Sequence, residues 1–134
     1  MKRNINYYQH YTDSHNHWKF KLLRSKLGWS GEGRFWALNN MIASADDCTL
    51  DLNRKNLKAS VMFDLGMSQE EFGEFINVLT NECELILNLD GIITTEIVRD
   101  NLQEVMKQRE RARLNKKHLK NQSEIKTQNL RIFK

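Results

Sequence analysis

Residues 84–96 read ELILNLDGIITTE, and this stretch decides the fold of the chain. Leu85, Leu87 and Leu89 recur at every second position, the alternation that is typical of a strand. Asp90–Gly91 is a favoured two-residue hairpin turn, and Ile92–Ile93 begin a return strand. The stretch therefore predicts a β-hairpin.

Helical patterns flank the hairpin on both sides. Ser68 and Glu71 form a capping-box signature, which predicts a helix over about 69–82. The apolar face of that helix consists of Phe72, Phe75, Ile76 and Leu79. After the hairpin, an apolar stripe at helical spacing predicts a last helix. The stripe consists of Ile97 or Val98, Leu102, Val105 and Met106. This helix is expected to become polar after Gln108 and to fray beyond Leu114.

Upstream, TLDL at 49–52 is a short strand candidate. Asn53 is placed to cap a helix that runs to about Leu65, and Gly66 is a natural helix terminator. The stretch 18–27 alternates apolar and basic residues at helical spacing, and a further helix is predicted over 32–45.

Three glycines separate those first two predicted helices. Their order, G-x-x-G-x-G after a helix, does not match a phosphate-binding loop, which follows a strand. We interpret them as a structural joint, with Gly28 ending the first helix, Gly31 as a turn and Gly33 as a close helix–helix contact under the tryptophans. The joint comprises Gly28, Trp29, Gly31, Gly33 and Trp36.

The predicted order is helix, helix, strand, helix, helix, hairpin, helix. This order predicts a mainly α (α+β) fold, a winged helix-turn-helix with an extra N-terminal helix, a long C-terminal helix and a small β-hairpin wing. We place the winged-helix domain at residues 1–106 and a basic helical or disordered tail at residues 107–134.

Charge is strongly segregated along the chain. Residues 1–35 carry a net +5, residues 36–106 carry −9 and residues 107–134 carry +8, which sum to +4. The helix before the wing contains no Lys or Arg, so standard recognition-helix docking on DNA is disfavoured. DNA contact is therefore predicted for two basic surfaces. They are the tail cations Lys107, Arg109, Arg111, Arg113, Lys116, Lys117 and Lys120, and the first-helix cations Lys19, Lys21, Arg24 and Lys26.

The stretch at 7–38 resembles the N-terminal domain of phage-type replisome organisers, akin to the winged-helix part of DnaD-like primosome proteins. The hairpin and the basic run past Lys107 also fit, so the resemblance covers roughly residues 7–113. Tyr11 and His17 stand where that family usually has acids. The matching positions are Tyr8, His10, Lys19, Leu23–Arg24, Gly28, Trp29, Gly31, Gly33, Trp36 and Leu38. The resemblance implies a non-enzymatic role in DNA replication, with self-association or binding to replication proteins.

Two other functions stay open. One is a sequence-specific winged-helix regulator that uses the helix at 69–82. The other is a metal enzyme built on His10, His15 and His17, although no CxxC or HExxH motif completes a ligand set. We expect no cofactor and no metal.

Composition predicts where the chain is found. No apolar run approaches the roughly 18 residues of a membrane span, and the N-terminus lacks the apolar centre of a signal peptide. Cys48 and Cys83 are isolated, which is typical of buried thiols in a reducing compartment. We expect a cytoplasmic protein.

Overall fold

The computed structural model describes residues 17–132, with side chains as far as Glu124. Within that range the contacts divide the chain after Leu102 into two units. The elements in chain order are α1 (Trp18–Ser44), β1 (Leu50–Asp51), α2 (Lys55–Leu65), α3 (Gln69–Asn77), β2 (Ile86–Leu89), β3 (Ile92–Thr95) and α4 (Glu96–Ile132). A 3-10 turn precedes β1, and one π-helical segment follows α3.

The sheet confirms the predicted hairpin wing. Strand order is β1-β3-β2 and both pairings are antiparallel, with Leu89 opposite Ile92 and Leu50 opposite Ile93. Asp90 and Gly91 both have positive φ, as a type I′ turn requires. The order of helices and strands is that of a winged helix, so the predicted fold class is confirmed.

The core of the first unit is formed by apolar side chains from α1, α3, β3 and the first turn of α4. Phe72, Phe75, Ile76 and Leu79 are buried, as the sequence predicts. The other buried side chains of this core include Phe20, Leu23, Phe35, Leu38 and Ile42 of α1, together with Ile93 and Val98. Each such side chain stabilises the fold by about 1.5–3 kcal/mol relative to its exposed state.

The ends of the helices agree in part with the sequence. Ser68 and Glu71 form the predicted capping box, and Gly66 ends α2 in the left-handed conformation at φ 66°. Asn53 does not cap α2, because its side-chain amide donates to the carbonyl oxygen of Asp90 at 2.7 Å and secures the wing turn. The helix begins at Lys55, without a side-chain cap on Arg54.

The two helices predicted for residues 18–45 are one kinked helix, α1. Gly28 breaks it at φ 72° and ψ −175°, a region that only glycine adopts readily, and helical structure resumes at Trp29. His17 caps the N-terminus, where its Nδ1 accepts from the backbone N–H of Lys19 at 3.3 Å.

The roles predicted for Gly31 and Gly33 are wrong. Both lie inside helical turns of α1, and a Cβ atom at Gly33 would have no neighbour within 4 Å. Gly31 is the tight position, since its Cβ would lie 2.4 Å from the Cβ of Leu27. Trp29 does not pack over a contact between helices at a glycine, because it is 73% exposed.

The second unit is the part of α4 from residue 103 onward. The sequence predicts fraying beyond Leu114, whereas α4 runs to Ile132. The segment contains no glycine or proline, and Lys, Arg, Glu and Gln are all good helix formers. Nothing in the sequence therefore stops the helix.

Candidate nucleic-acid interface

Helix α3, where a winged helix usually reads DNA, presents carboxylates. Glu70, Glu71 and Glu74 are all exposed on it. No Lys or Arg occurs between Lys58 in α2 and Arg99 in α4. Because DNA affinity depends on neutralising phosphates, this face repels a duplex.

The capping box fixes one of these carboxylates in its charged form. The Ser68 backbone N–H donates to Glu71 Oε1 at 3.2 Å, and the Ser68 hydroxyl accepts from the Glu71 backbone N–H. The hydrogen bond from the Ser68 backbone, followed by that of its side chain, holds the pKa of Glu71 below its usual range. The start of α3 stays anionic at neutral pH.

The wing is apolar and acidic. Leu87, Leu89 and Ile92 are exposed by 39%, 75% and 43% on the outer face of the hairpin, and Asp90 lies at its tip. A wing that grips DNA usually places cations against the phosphates. This wing offers an apolar surface instead.

Three of the four cations predicted on α1 form ion pairs within the first unit. Lys19 Nζ lies 2.5 Å from Glu96 Oε2 and donates to the Glu84 carbonyl oxygen at 3.0 Å. Its side chain is only 15% exposed. This lysine ties the start of α1 to the base of the wing.

Arg24 and Lys26 are held in the same way. Arg24 Nη1 lies 3.2 Å from Glu32 Oε2, and its guanidinium also lies 4.7 Å from the ring centroid of Trp29. Lys26 Nζ lies 3.6 Å from Glu82 Oε1 in a pair that is exposed to solvent, and Lys21 is exposed as well.

Lys19 and Lys26 therefore meet carboxylates from distant parts of the sequence, while the partner of Arg24, Glu32, lies on α1 itself. Sequence reasoning missed Glu32, Glu82 and Glu96 as partners. For Glu82 and Glu96 the only available signal was the acidic excess of residues 36–106, which does not say which carboxylate meets which cation.

The seven cations predicted on the tail are all exposed on α4. Arg113 donates to both carboxylate oxygens of Glu110, at 2.6 and 3.1 Å. This pairing lowers the pKa of Glu110 and raises that of Arg113. The structure thus separates a first unit whose α1 cations are largely paired from a second unit whose cations face solvent.

Of the three clustered histidines near the N-terminus, only His17 lies among the described residues. His17 is the α1 cap, while His10 and His15 lie outside the described residues. Within residues 17–132, no group of three His, Cys, Asp or Glu side chains is arranged to hold a metal ion.

Cys48 and Cys83 are buried thiols that are not joined in a disulfide. Burial, followed by the nearby Glu82 charge, raises the pKa of the Cys83 thiol, so it stays protonated and poorly nucleophilic at neutral pH.

Among the described helices, none has a stretch both long and apolar enough to cross a bilayer.

Comparison with known proteins gives no family assignment. No family model, curated protein or solved structure matches this chain. The resemblance to replisome organisers stays a prediction, and function has to be argued from the charges and contacts above.

Proposed function

We propose that this chain is a non-enzymatic, phage-type or mobile-element-type DNA-replication protein. Its winged-helix unit would assemble with a second copy or a replication partner, and its basic tail would contact DNA. One observation carries the DNA part: the exposed cations of the described residues are concentrated on α4, whereas α3 and the wing carry none. The replication context rests on the resemblance.

The tail supplies enough charge for non-specific DNA affinity. Each phosphate contact contributes roughly 0.9 to the slope of log affinity against log salt, so five to seven contacts give a slope of about 4.5 to 6. Affinity should then fall by about several hundredfold or more between 50 and 200 mM salt. Binding of this type depends on charge and not on base sequence.

A salt titration tests the proposal. DNA binding is measured by fluorescence anisotropy for the intact chain and for a variant with all seven tail cations changed to Gln. The expected result is loss of binding and of the salt slope. The control is Lys21→Gln with Lys26→Gln on α1, which should leave the slope nearly unchanged, whereas the loss of two phosphate contacts would lower it by about 1.8.

The same titration distinguishes the regulator alternative. If α3 read DNA, the neutralised tail would leave site-selective binding largely intact, and removal of residues 107–134 would do the same. Retained affinity with an unchanged salt slope in the neutralised variant would refute the tail proposal.

The assembly part is supported by the exposed outer face of the wing. Leu87, Leu89 and Ile92 are large apolar side chains on a sheet face that no described element covers. Light scattering of the intact chain over a range of concentrations should show association. Leu89→Ser should weaken it, while a strict monomer at high concentration would rule out self-assembly.

A further inference from the structure

The tail cations are not spread evenly around α4. An α-helix turns about 100° per residue, which places five of the seven within an arc of about 100°. We call these five the basic stripe: Arg109, Arg113, Lys116, Lys117 and Lys120. The other two, Lys107 and Arg111, fall about 160–200° from Arg109, on the opposite side of the helix.

The acidic residues lower the charge on both sides of α4 without removing this asymmetry, since the stripe still carries five cations. Glu110 lies at the border of the basic stripe, where it pairs with Arg113. Glu104 falls on the side of Lys107 and Arg111, and so offsets their charge. Glu124 is one turn beyond Lys120 on the stripe's own face, and it marks where the stripe ends.

The length of the basic stripe fits a run of phosphates. Arg109 to Lys120 spans eleven residue steps, or about 16 Å at 1.5 Å per residue. Each strand of a duplex carries a phosphate about every 3.4 Å along the helix axis, so a length of about 16 Å contains about ten phosphates on its two strands. This length of duplex therefore carries more phosphates than the stripe has cations.

Resting on the proposed function, we infer that α4 binds duplex DNA through the basic stripe alone, with one face on the phosphate backbone. Lys107 and Arg111 face away from it. Single-stranded DNA is the poorer ligand, because strong single-strand sites stack bases on aromatic rings. Between residues 103 and 124 the chain contains no Phe, Tyr or Trp, and His118 lies on the side opposite the stripe.

Three double variants of the full chain test the inference, each removing two charges four residues apart. Lys116→Gln with Lys120→Gln and Arg109→Gln with Arg113→Gln lie on the basic stripe. Lys107→Gln with Arg111→Gln is the matched control, and its two positions alternate along the helix with Arg109 and Arg113. Gln keeps a helix propensity close to that of Lys and Arg, and circular dichroism verifies the helix content.

The expected magnitudes follow from counterion release. If each contact contributes about 0.9 to the salt slope, two lost contacts weaken duplex binding about 30-fold at 0.15 M salt and lower the slope by about 1.8. Both stripe variants should show this. The control should bind within about threefold of the intact chain, and a single strand of equal length should bind more weakly than the duplex.

Equal losses in all three variants would overturn the inference, since binding would then depend on charge number and not on a helix face. Losses in none of them would overturn it as well. The proposed function fails separately, if the variant lacking all seven cations binds DNA as the intact chain does.

Discussion

Replacing Gly33 with Ala should stabilise the first unit. Gly33 lies in a helical turn of α1 with an exposed backbone, and an added Cβ would have no neighbour within 4 Å. Glycine loses more conformational freedom on folding than alanine, so Gly33→Ala should add about 0.5–1 kcal/mol to the free energy of unfolding. For a unit of this size, that raises Tm by about 2–8 °C.

Gly31→Ala is the control, two residues away on the same helix. Cβ atoms four residues apart on a regular helix are about 5–6 Å apart. The kink at Gly28 brings the position of a Gly31 Cβ to 2.4 Å from that of Leu27. The overpacking should exceed the gain in helix propensity, for a net loss of about 1–2 kcal/mol.

The two variants are compared by thermal and urea unfolding followed by circular dichroism. Gly33→Ala should raise both midpoints and Gly31→Ala should lower both, with unchanged m-values. A loss of stability in Gly33→Ala would refute the reasoning. Such a loss would mean that Gly33 makes the close helix contact that the sequence suggests.

Three further substitutions test other contacts. Gly28→Ala should lower the free energy of unfolding by about 1–3 kcal/mol, because only glycine adopts the φ and ψ of the kink readily; unchanged urea midpoints would contradict this. Thr95→Val removes the hydroxyl that accepts from the N–H of the first turn of α4 and donates to buried Asn39 Oδ1. It should cost about 2–3 kcal/mol in urea unfolding, with Thr95→Ser close to the parent. Ser68→Ala should raise the pKa of Glu71 toward its usual range, as measured by carboxyl NMR. A carboxyl whose pKa is lowered by folding stabilises the folded state above its unfolded pKa, and this stabilisation is lost as the pH falls through its folded pKa. Ser68→Ala should therefore lose stability less steeply on acidification than the parent chain does.

The fold was largely predictable because its signals are local. The Asp90–Gly91 turn is a two-residue signature, and it appears with both positive φ values. The capping box at Ser68 and Glu71 spans four residues, and it forms as expected. In both cases the residues that make the hydrogen bonds are the residues that carry the signal.

The joint in α1 was harder to predict, because a glycine has more than one use. Gly28, Gly31 and Gly33 are the same residue type within six positions. Gly28 provides a positive φ, Gly31 avoids a clash with Leu27, and Gly33 lies where an added Cβ would meet nothing. Only the path of the kinked backbone distinguishes these three roles.

The sequence by itself determined the order of elements, the acidic character of α3 and the basic character of the tail, since each depends on residues that are neighbours along the chain. The tertiary structure decided which cations are available. Lys19 and Glu96 are 77 residues apart, yet folding brings them into an ion pair that is largely withdrawn from solvent. Net charge sums along the chain, whereas pairing depends on distances in space, so only Lys21 and Lys26 of the basic pattern on α1 stay exposed.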